Sequence, residues 1–293
     1  MARILGIGIA TLDIVNEVES YPAEDDELRA LAQHIRRGGN ATNTLVVLSQ
    51  LGHSCRWGGV LVDEPDGARI REDLERHAID ISGCRLLAGG KVPTSYIVLS
   101  RRTASRTIVH YRDLPEFDYE DFASLPLEVD WLHLEGRNIP ETRRMLERAR
   151  ALRPALPCSL EVEKPRPEVE SILALADVLM FSRAYATHLG LRDPEALLAW
   201  ARERAPQALL FTGWGADDAW GLDRAGGLHH TPAVTPPQLV DTIGAGDVLN
   251  AGLIDALLRG WPMERVLSHA VALAGYKCGR YGLEGLSAAA DAS

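Results

Sequence analysis

The stretch Asp241-Thr242-Ile243-Gly244-Ala245-Gly246-Asp247-Val248-Leu249-Asn250-Ala251-Gly252 decides how the rest of the chain is read. Val240 ends an apolar approach, two glycines follow, and Leu249, Leu253, Ala256 and Leu257 then recur at helical spacing. A glycine-rich turn into a helix leaves unpaired N–H groups at the helix start, and the helix dipole reinforces them, so the turn is an anion site. Glycine lets the backbone approach an oxyanion because no Cβ intervenes. Asp247 falls in the first helical turn. A carboxylate there can simply cap the helix, or it can act as a general base toward a hydroxyl beside the bound anion; the two roles are compatible. Gly-Ala-Gly-Asp alone is a weak signal, but the full run with Asn250 and Gly252 is a specific one.

The run is not a Walker loop, since the Gly-Lys-Ser/Thr ending is missing. Gly6-Ile7-Gly8 lacks the third glycine of a dinucleotide fingerprint, and Asp13 interrupts its turn. Lys and Arg number 31 against 41 Asp and Glu, a formal charge of −10, and no basic block exceeds two residues. Nucleic acid and anionic membrane are therefore not the expected partners, and any phosphate site must be local. Cys55, Cys84, Cys158 and Cys278 show no CxxC spacing, which argues against zinc and for a reduced, cytoplasmic protein. Ile4–Ala10 is too short to span a bilayer and reads as a buried strand.

Outward from the signature, short apolar runs alternate with amphipathic ones. Strands are expected at Ile4–Ala10, Trp131–Leu134, Ser159–Val162, Val178–Phe181 and Ala208–Thr212. Helices are expected at Ala41–Leu51, Gly67–His77, Pro140–Leu152, Pro167–Leu175, Pro194–Arg204, Ala245–Arg259 and Met263–Cys278. The rhythm predicts an α/β fold with a doubly wound, mostly parallel sheet flanked by helices. Two segments break it, Thr11–Arg37 and Pro93–Tyr111, the second patterned as a β-hairpin. They predict a small accessory sheet. Ser287–Ser293 is small and polar and is expected to fray.

Gly38-Gly39-Asn40-Ala41-Thr42-Asn43 opens a helix that Gly52 closes. Paired glycines permit close approach of the main chain, and asparagine offers both a donor and an acceptor to a sugar hydroxyl. The plainer alternative makes Asn40 an N-cap with Asn43 in the first turn. Asp13 ends the first apolar run, where ligands bind in α/β sheets, unless it is only a solvated strand end.

These runs together resemble the ribokinase-like (PfkB) family of carbohydrate kinases, and within it the ketohexose kinases. The nearer resemblance rests on Trp131-Leu132-His133-Leu134-Glu135-Gly136-Arg137-Asn138, Glu161-Val162-Glu163-Lys164-Pro165-Arg166, Ala274-Gly275-Tyr276-Lys277-Cys278-Gly279, Arg106-Thr107-Ile108-Val109 and Tyr21-Pro22-Ala23-Glu24-Asp25. It covers nearly the whole chain, from about residue 6 to residue 285.

The resemblance implies a nucleotide- and sugar-binding core over 1–10, 38–90 and 116–293. It makes 11–37 and 91–115 a β lid that also serves as a homodimer interface. It implies Asp247 as base, Gly244, Ala245 and Gly246 as the anion hole, and Arg106 reaching the phosphates from the lid. Asp13, Gly39, Asn40, Asn43, Arg137 and Asp247 would hold a small sugar. Asp25 would reach the partner subunit's site. ATP with Mg²⁺ would lie near Gly213, Gly215, Ala216 and Cys278, and Asp241 with the Ile243 carbonyl would bind a monovalent cation, K⁺.

For Arg137 and Lys164 the alternative is an ion pair with Glu135, Glu161 or Glu163; for Cys278 it is burial as a small apolar residue. The chain departs from the family at Ala216, where a glycine is expected, at Trp214, and in lacking an Asn-x-x-Glu element near Phe181–Tyr185. Rival readings are a related kinase for a sugar acid, a phosphorylated or sulfonated ketose or a nucleoside, and a non-catalytic sugar- or nucleotide-binding regulator.

Overall fold

The computed structural model describes residues 1–103 and 105–287. The chain begins with β1 (Arg3–Ile7), β2 (Thr11–Val18), β3 (Ala32–Gly38), α1 (Asn40–Gln50), β4 (Ser54–Gly58), β5 (Val60–Val62), α2 (Pro65–Arg76), β6 (Ile79–Asp80) and β7 (Arg85–Leu87). It continues through β8 (Thr94–Ser100), β9 (Arg106–Tyr111), α3 (Tyr119–Ala123), β10 (Trp131–Glu135), α4 (Ile139–Leu152), β11 (Cys158–Val162), a 3-10 helix over Val169–Leu175 and β12 (Val178–Ser182). The last elements are α5 (Arg183–His188), α6 (Pro194–Arg204), β13 (Leu209–Gly213), β14 (Asp218–Leu222), β15 (Leu228–Pro232), α7 (Ala245–Leu258) and α8 (Met263–Cys278).

Nine strands form the main sheet in the order β15-β14-β13-β12-β11-β10-β1-β4-β6. Every pair from β13 to β6 is parallel, and β14 and β15 add an antiparallel edge. The chain winds outward from β1 to β4 and β6, then returns to place β10 on the other flank of β1. That reversal opens a crevice at the carboxyl ends of the strands. The parallel strands are buried along nearly their whole length, as a sheet covered on both faces requires. Gly252 serves this packing: a Cβ there would come within 2.6 Å of the Ala270 Cα, so α7 and α8 touch backbone to backbone.

The rhythm-breaking segments form a second sheet of four strands, β3-β2-β8-β9, in which only β2 and β8 run parallel. The accessory sheet is thus present, but Asp13 belongs to it. The first strand stops at Ile7 rather than continuing to Ala10, and Asp13 is the third residue of β2, not the end of a main-sheet strand. Beyond Ile7 the Gly8 N–H still donates to the Gly58 carbonyl at 3.2 Å, but the Ile9 N–H turns to the Glu135 carboxylate at 2.9 Å instead of a neighbouring strand. Pro167–Leu175 also differs, forming the shorter 3-10 helix. Of Ser287–Ser293, expected to fray, residues 288–293 lie outside the described residues. Among the described residues no helix is long and apolar enough to cross a membrane.

Candidate active site

A cavity of about 690 Å³ lies over the carboxyl ends of the main strands and under the four-stranded sheet. Glu135, Glu161 and Gly213 face it from the main sheet, Ile9 and Glu163 from the chain just beyond its strands, Thr11, Asp13, Ser95, Arg106 and His110 from the small sheet, and Gly244, Gly246 and Asp247 from the start of α7. Its size suits a small ligand and part of a nucleotide.

Gly244 is the N-cap of α7 with φ 84°, a left-handed conformation that favours glycine. The Ala245 N–H is spent on the Thr242 carbonyl at 3.3 Å. By helix geometry the N–H groups of Gly246 and Asp247 have no carbonyl below them, so they, rather than Ala245, are the open donors of the turn. A methyl on Gly246 would meet open space, on the side that faces the cavity. Arg106 reaches down from β9, its Nη1 3.5 Å from the Thr242 hydroxyl, and so joins the small sheet to the loop. Thr242 was not singled out in the sequence.

Asp247 is buried, and Asn43 Nδ2 donates to its Oδ2 at 2.7 Å. Burial raises its pKa to about 8; the Asn43 hydrogen bond opposes that rise, and the charges of Glu163 and Glu135 add to it. The Asn43 oxygen accepts from Arg37 at 2.7 Å, and Arg37 is pinned by Asp73 at 2.7 Å. One N–H and the oxygen of the Asn43 amide thus serve to position Asp247, while Asn43 also lines the cavity.

Gly39 caps α1 with φ 105°, and a Cβ there would overlap the Ile9 carbonyl; one on Gly38 would overlap the Asp13 carboxylate. The paired glycines thus admit the protein's own groups, while Gly39 still lines the cavity. Asn40 is not an N-cap. Its Nδ2 donates to Glu161 at 3.2 Å and Glu163 at 3.0 Å. Asp13 faces the cavity, with the Thr11 hydroxyl donating to it at 2.8 Å.

Arg137 lines the cavity, yet its guanidinium is held by Glu135 at 3.3 Å, a pairing foreseen as its alternative, and by Glu116 at 3.1 Å, which was not foreseen. Lys164 pairs with Glu163 at 3.4 Å. Glu161 also accepts from Asn250 at 3.0 Å, while its Oε2 finds no partner among the described residues. Burial, with Asp247 and Glu135 beside it, pushes Glu161 well above the usual carboxylate range. Glu161, Glu163 and Asn250 were missed as site residues, although the Glu-Val-Glu stretch itself stood out.

On the nucleotide side Gly213 lines the cavity, whereas Gly215, Ala216 and Cys278 lie outside its lining. Trp214 packs into the core, and Arg183 approaches its ring at 5.7 Å. Cys278 acts through its backbone: its carbonyl accepts from Val240 and Asp241. Asp25 sits on the exposed β2–β3 connection with φ 62°, away from this cavity. Among the described residues no cluster of three or more His, Cys, Asp or Glu is placed to hold a metal.

The Asp241 donor set does not suit K⁺. Its carboxylate is buried and accepts from Arg36 Nη1 at 2.7 Å, Lys277 Nζ at 3.0 Å, and the N–H groups of Ile243 at 2.9 Å and Gly282 at 3.2 Å. Against the opposing effect of burial, Arg36 and Lys277 hold its pKa at about 2.

The chain is 35% identical over 293 residues to ketohexokinase from Mus musculus, covering 97% of this chain and 98% of the relative. It is 26% identical to the ATP-dependent ribose-1-phosphate kinase of Halopiger xanaduensis, covering 96% and 94%. Its fold matches the structure of Arabidopsis thaliana ribokinase complexed with ribose and ATP at TM-score 0.79, with 17% identity over 100% of this chain and 99% of that one. The model of the pfkB family carbohydrate kinases matches residues 1–289. With that full-length match, and a glycine turn and a buried carboxylate sharing one cavity, the chain belongs to the pfkB family of carbohydrate kinases.

Proposed function

We propose that the protein transfers the terminal phosphoryl group of ATP, which arrives with its Mg²⁺, to a primary hydroxyl of a neutral ketohexose. D-fructose is the first candidate and fructose 1-phosphate the product. The observation that carries this is Asp247, held by Asn43 at 2.7 Å on the first turn of α7 and facing the same cavity as Asp13, Asn40 and Glu163. In the ionised form Asp247 takes the acceptor hydroxyl proton, the oxygen bonds to phosphorus, and the bond to ADP breaks. The Gly246 and Asp247 N–H groups and Arg106 supply positive charge where the transferred group passes. Mg²⁺ keeps phosphate and water ligands and needs only one or two carboxylates, so an all-protein cage is not required; Glu161 and Glu163 are the carboxylates at hand.

A neutral acceptor is favoured by charge. Arg112 and Arg137 border the cavity but are both held by Glu116, and Glu161 and Glu163 face the same space. A phosphorylated or acidic acceptor would meet those carboxylates, and it would have to draw on Arg106 and Arg166, which also border the cavity, for its positive charge. Turnover across a panel of neutral ketoses, sugar acids, sugar phosphates and nucleosides tests the choice. Ligand-induced stabilisation without turnover would instead favour a regulator.

The small sheet serves this reading as a lid over residues 11–37 and 91–115, since Arg36 and Arg106 tie it to the loop before α7. Its outer face carries the cross-strand row Ile35, Ile14, Tyr96 and Val109, with Val109 66% and Tyr96 47% exposed. A second copy of the chain is the occupant this row fits, giving a homodimer. A cytoplasmic location accords with four free cysteines and with ATP as donor.

A further inference from the structure

We infer that the ammonium of Lys277 is a built-in substitute for a bound monovalent cation, so that the loop leading into α7 is set without K⁺. This rests on the reading above only in taking that loop as the phosphate site.

Three observations carry it. Lys277, in the last turn of α8, is fully buried, although lysine rarely is, and a flexible chain with a point charge at its tip is spent where no solvent reaches it. Its Nζ donates to the Asp241 carbonyl at 2.5 Å and lies 3.0 Å from the Asp241 carboxylate, so one cation gathers a backbone and a side-chain oxygen of the same residue as a coordinated ion would. The remaining Asp241 acceptor positions are filled by Arg36 and by the Ile243 and Gly282 N–H groups. An added cation would find donors pointing at it and two positive charges beside it.

Position gives this anchor its consequence. Asp241 stands three residues before Gly244, and the Cys278 carbonyl accepts from the Val240 and Asp241 N–H groups, so α8 grips the start of the loop by both side chain and backbone. Arg36 brings the small sheet to the same carboxylate. Lys277 is a positioning residue: it touches no cavity atom but sets the turn whose N–H groups do.

The test is calorimetric titration with Mg-ADP in choline chloride and in KCl at matched ionic strength, on the wild type and on Lys277→Ala. Turnover with the best acceptor is measured alongside. The wild type should change by less than about twofold between the two salts, whereas Lys277→Ala should bind roughly tenfold more weakly in choline and recover in K⁺ or methylammonium. A wild-type affinity that rises roughly tenfold with K⁺, or a Lys277→Ala protein that binds normally in choline, overturns the inference. If Lys277→Ala does not fold, the wild-type titration decides alone. Absence of turnover with every acceptor, with ADP binding as expected, would remove the kinase reading and leave this one standing.

Discussion

Asn43 donates a 2.7 Å hydrogen bond to Oδ2 of Asp247, linking the first turns of α1 and α7 across the floor of the cavity. The bond favours the ionised carboxylate, while burial and nearby glutamates favour the protonated one and place its pKa at about 8. A base works only when ionised, so kcat/KM should climb with pH up to about 8 and level off above it.

Asn43→Ala removes the hydrogen bond but not the burial. The acid limb should move to higher pH, and kcat/KM at neutral pH should fall by roughly tenfold or more, a hydrogen bond to a charged group being worth about 1.5–3 kcal/mol. Activity should recover at alkaline pH, which a merely misfolded variant would not do. Asp247→Asn should lose about 10²–10⁴ in kcat at every pH while still binding Mg-ADP. Near-normal turnover would remove Asp247 from the chemistry.

Arg106 is exposed, and among the described residues its side chain hydrogen-bonds to Thr242 alone. Arg106→Ala should therefore leave the melting temperature nearly unchanged, with a stability change within about 0.5 kcal/mol. Its kcat should drop roughly a hundredfold, the scale for losing one donor to a developing negative charge. Equal loss of stability and activity would mean a structural role.

Two glycines separate ligand space from packing. Gly246→Ala places a methyl in open space on the cavity side and should fold at least as well as the wild type, since alanine is favoured in a helix by about 0.5–1 kcal/mol. It should nevertheless weaken Mg-ADP binding and turnover. Gly39→Ala meets the Ile9 carbonyl at φ 105° and should destabilise the fold by more than about 1 kcal/mol. Denaturant melts of the two variants check the contrast.

The outer row of the small sheet predicts an assembly. Sedimentation of the wild type should report a dimer, and Val109→Asp, a change at a 66% exposed position, should give a folded monomer. A wild-type monomer at micromolar concentration would contradict the interface.

The parallel core was legible because its strands are buried on both faces and read as short apolar runs such as Trp131–Leu134. The signature around Asp247 was legible because the full run from Asp241 to Gly252 is specific where Gly-Ala-Gly-Asp alone is not. Ser54–Gly58 and Asp218–Leu222 stayed hidden, since Arg56, Trp220 and the polar residues around them show neither a continuous apolar run nor a clean alternation. The small sheet showed only as a break in rhythm. Within the site, chemistry was easier to foresee than partnership. Asn43 and Arg137 carried suitable groups, but spacing along the chain does not show that Asp247 and Glu116, far away in sequence, satisfy them. Lys277 appeared only as part of a family-like run, and its contact with Asp241 depends on how α8 returns beside the loop.

The most direct test of the central claim is ADP release from Mg-ATP in the presence of D-fructose, followed by NMR of the product. Rapid release coupled to fructose 1-phosphate is the predicted result. Turnover confined to a phosphorylated sugar or a nucleoside would contradict the neutral-ketose assignment, and Mg-ADP binding without turnover of any acceptor would contradict the kinase reading itself.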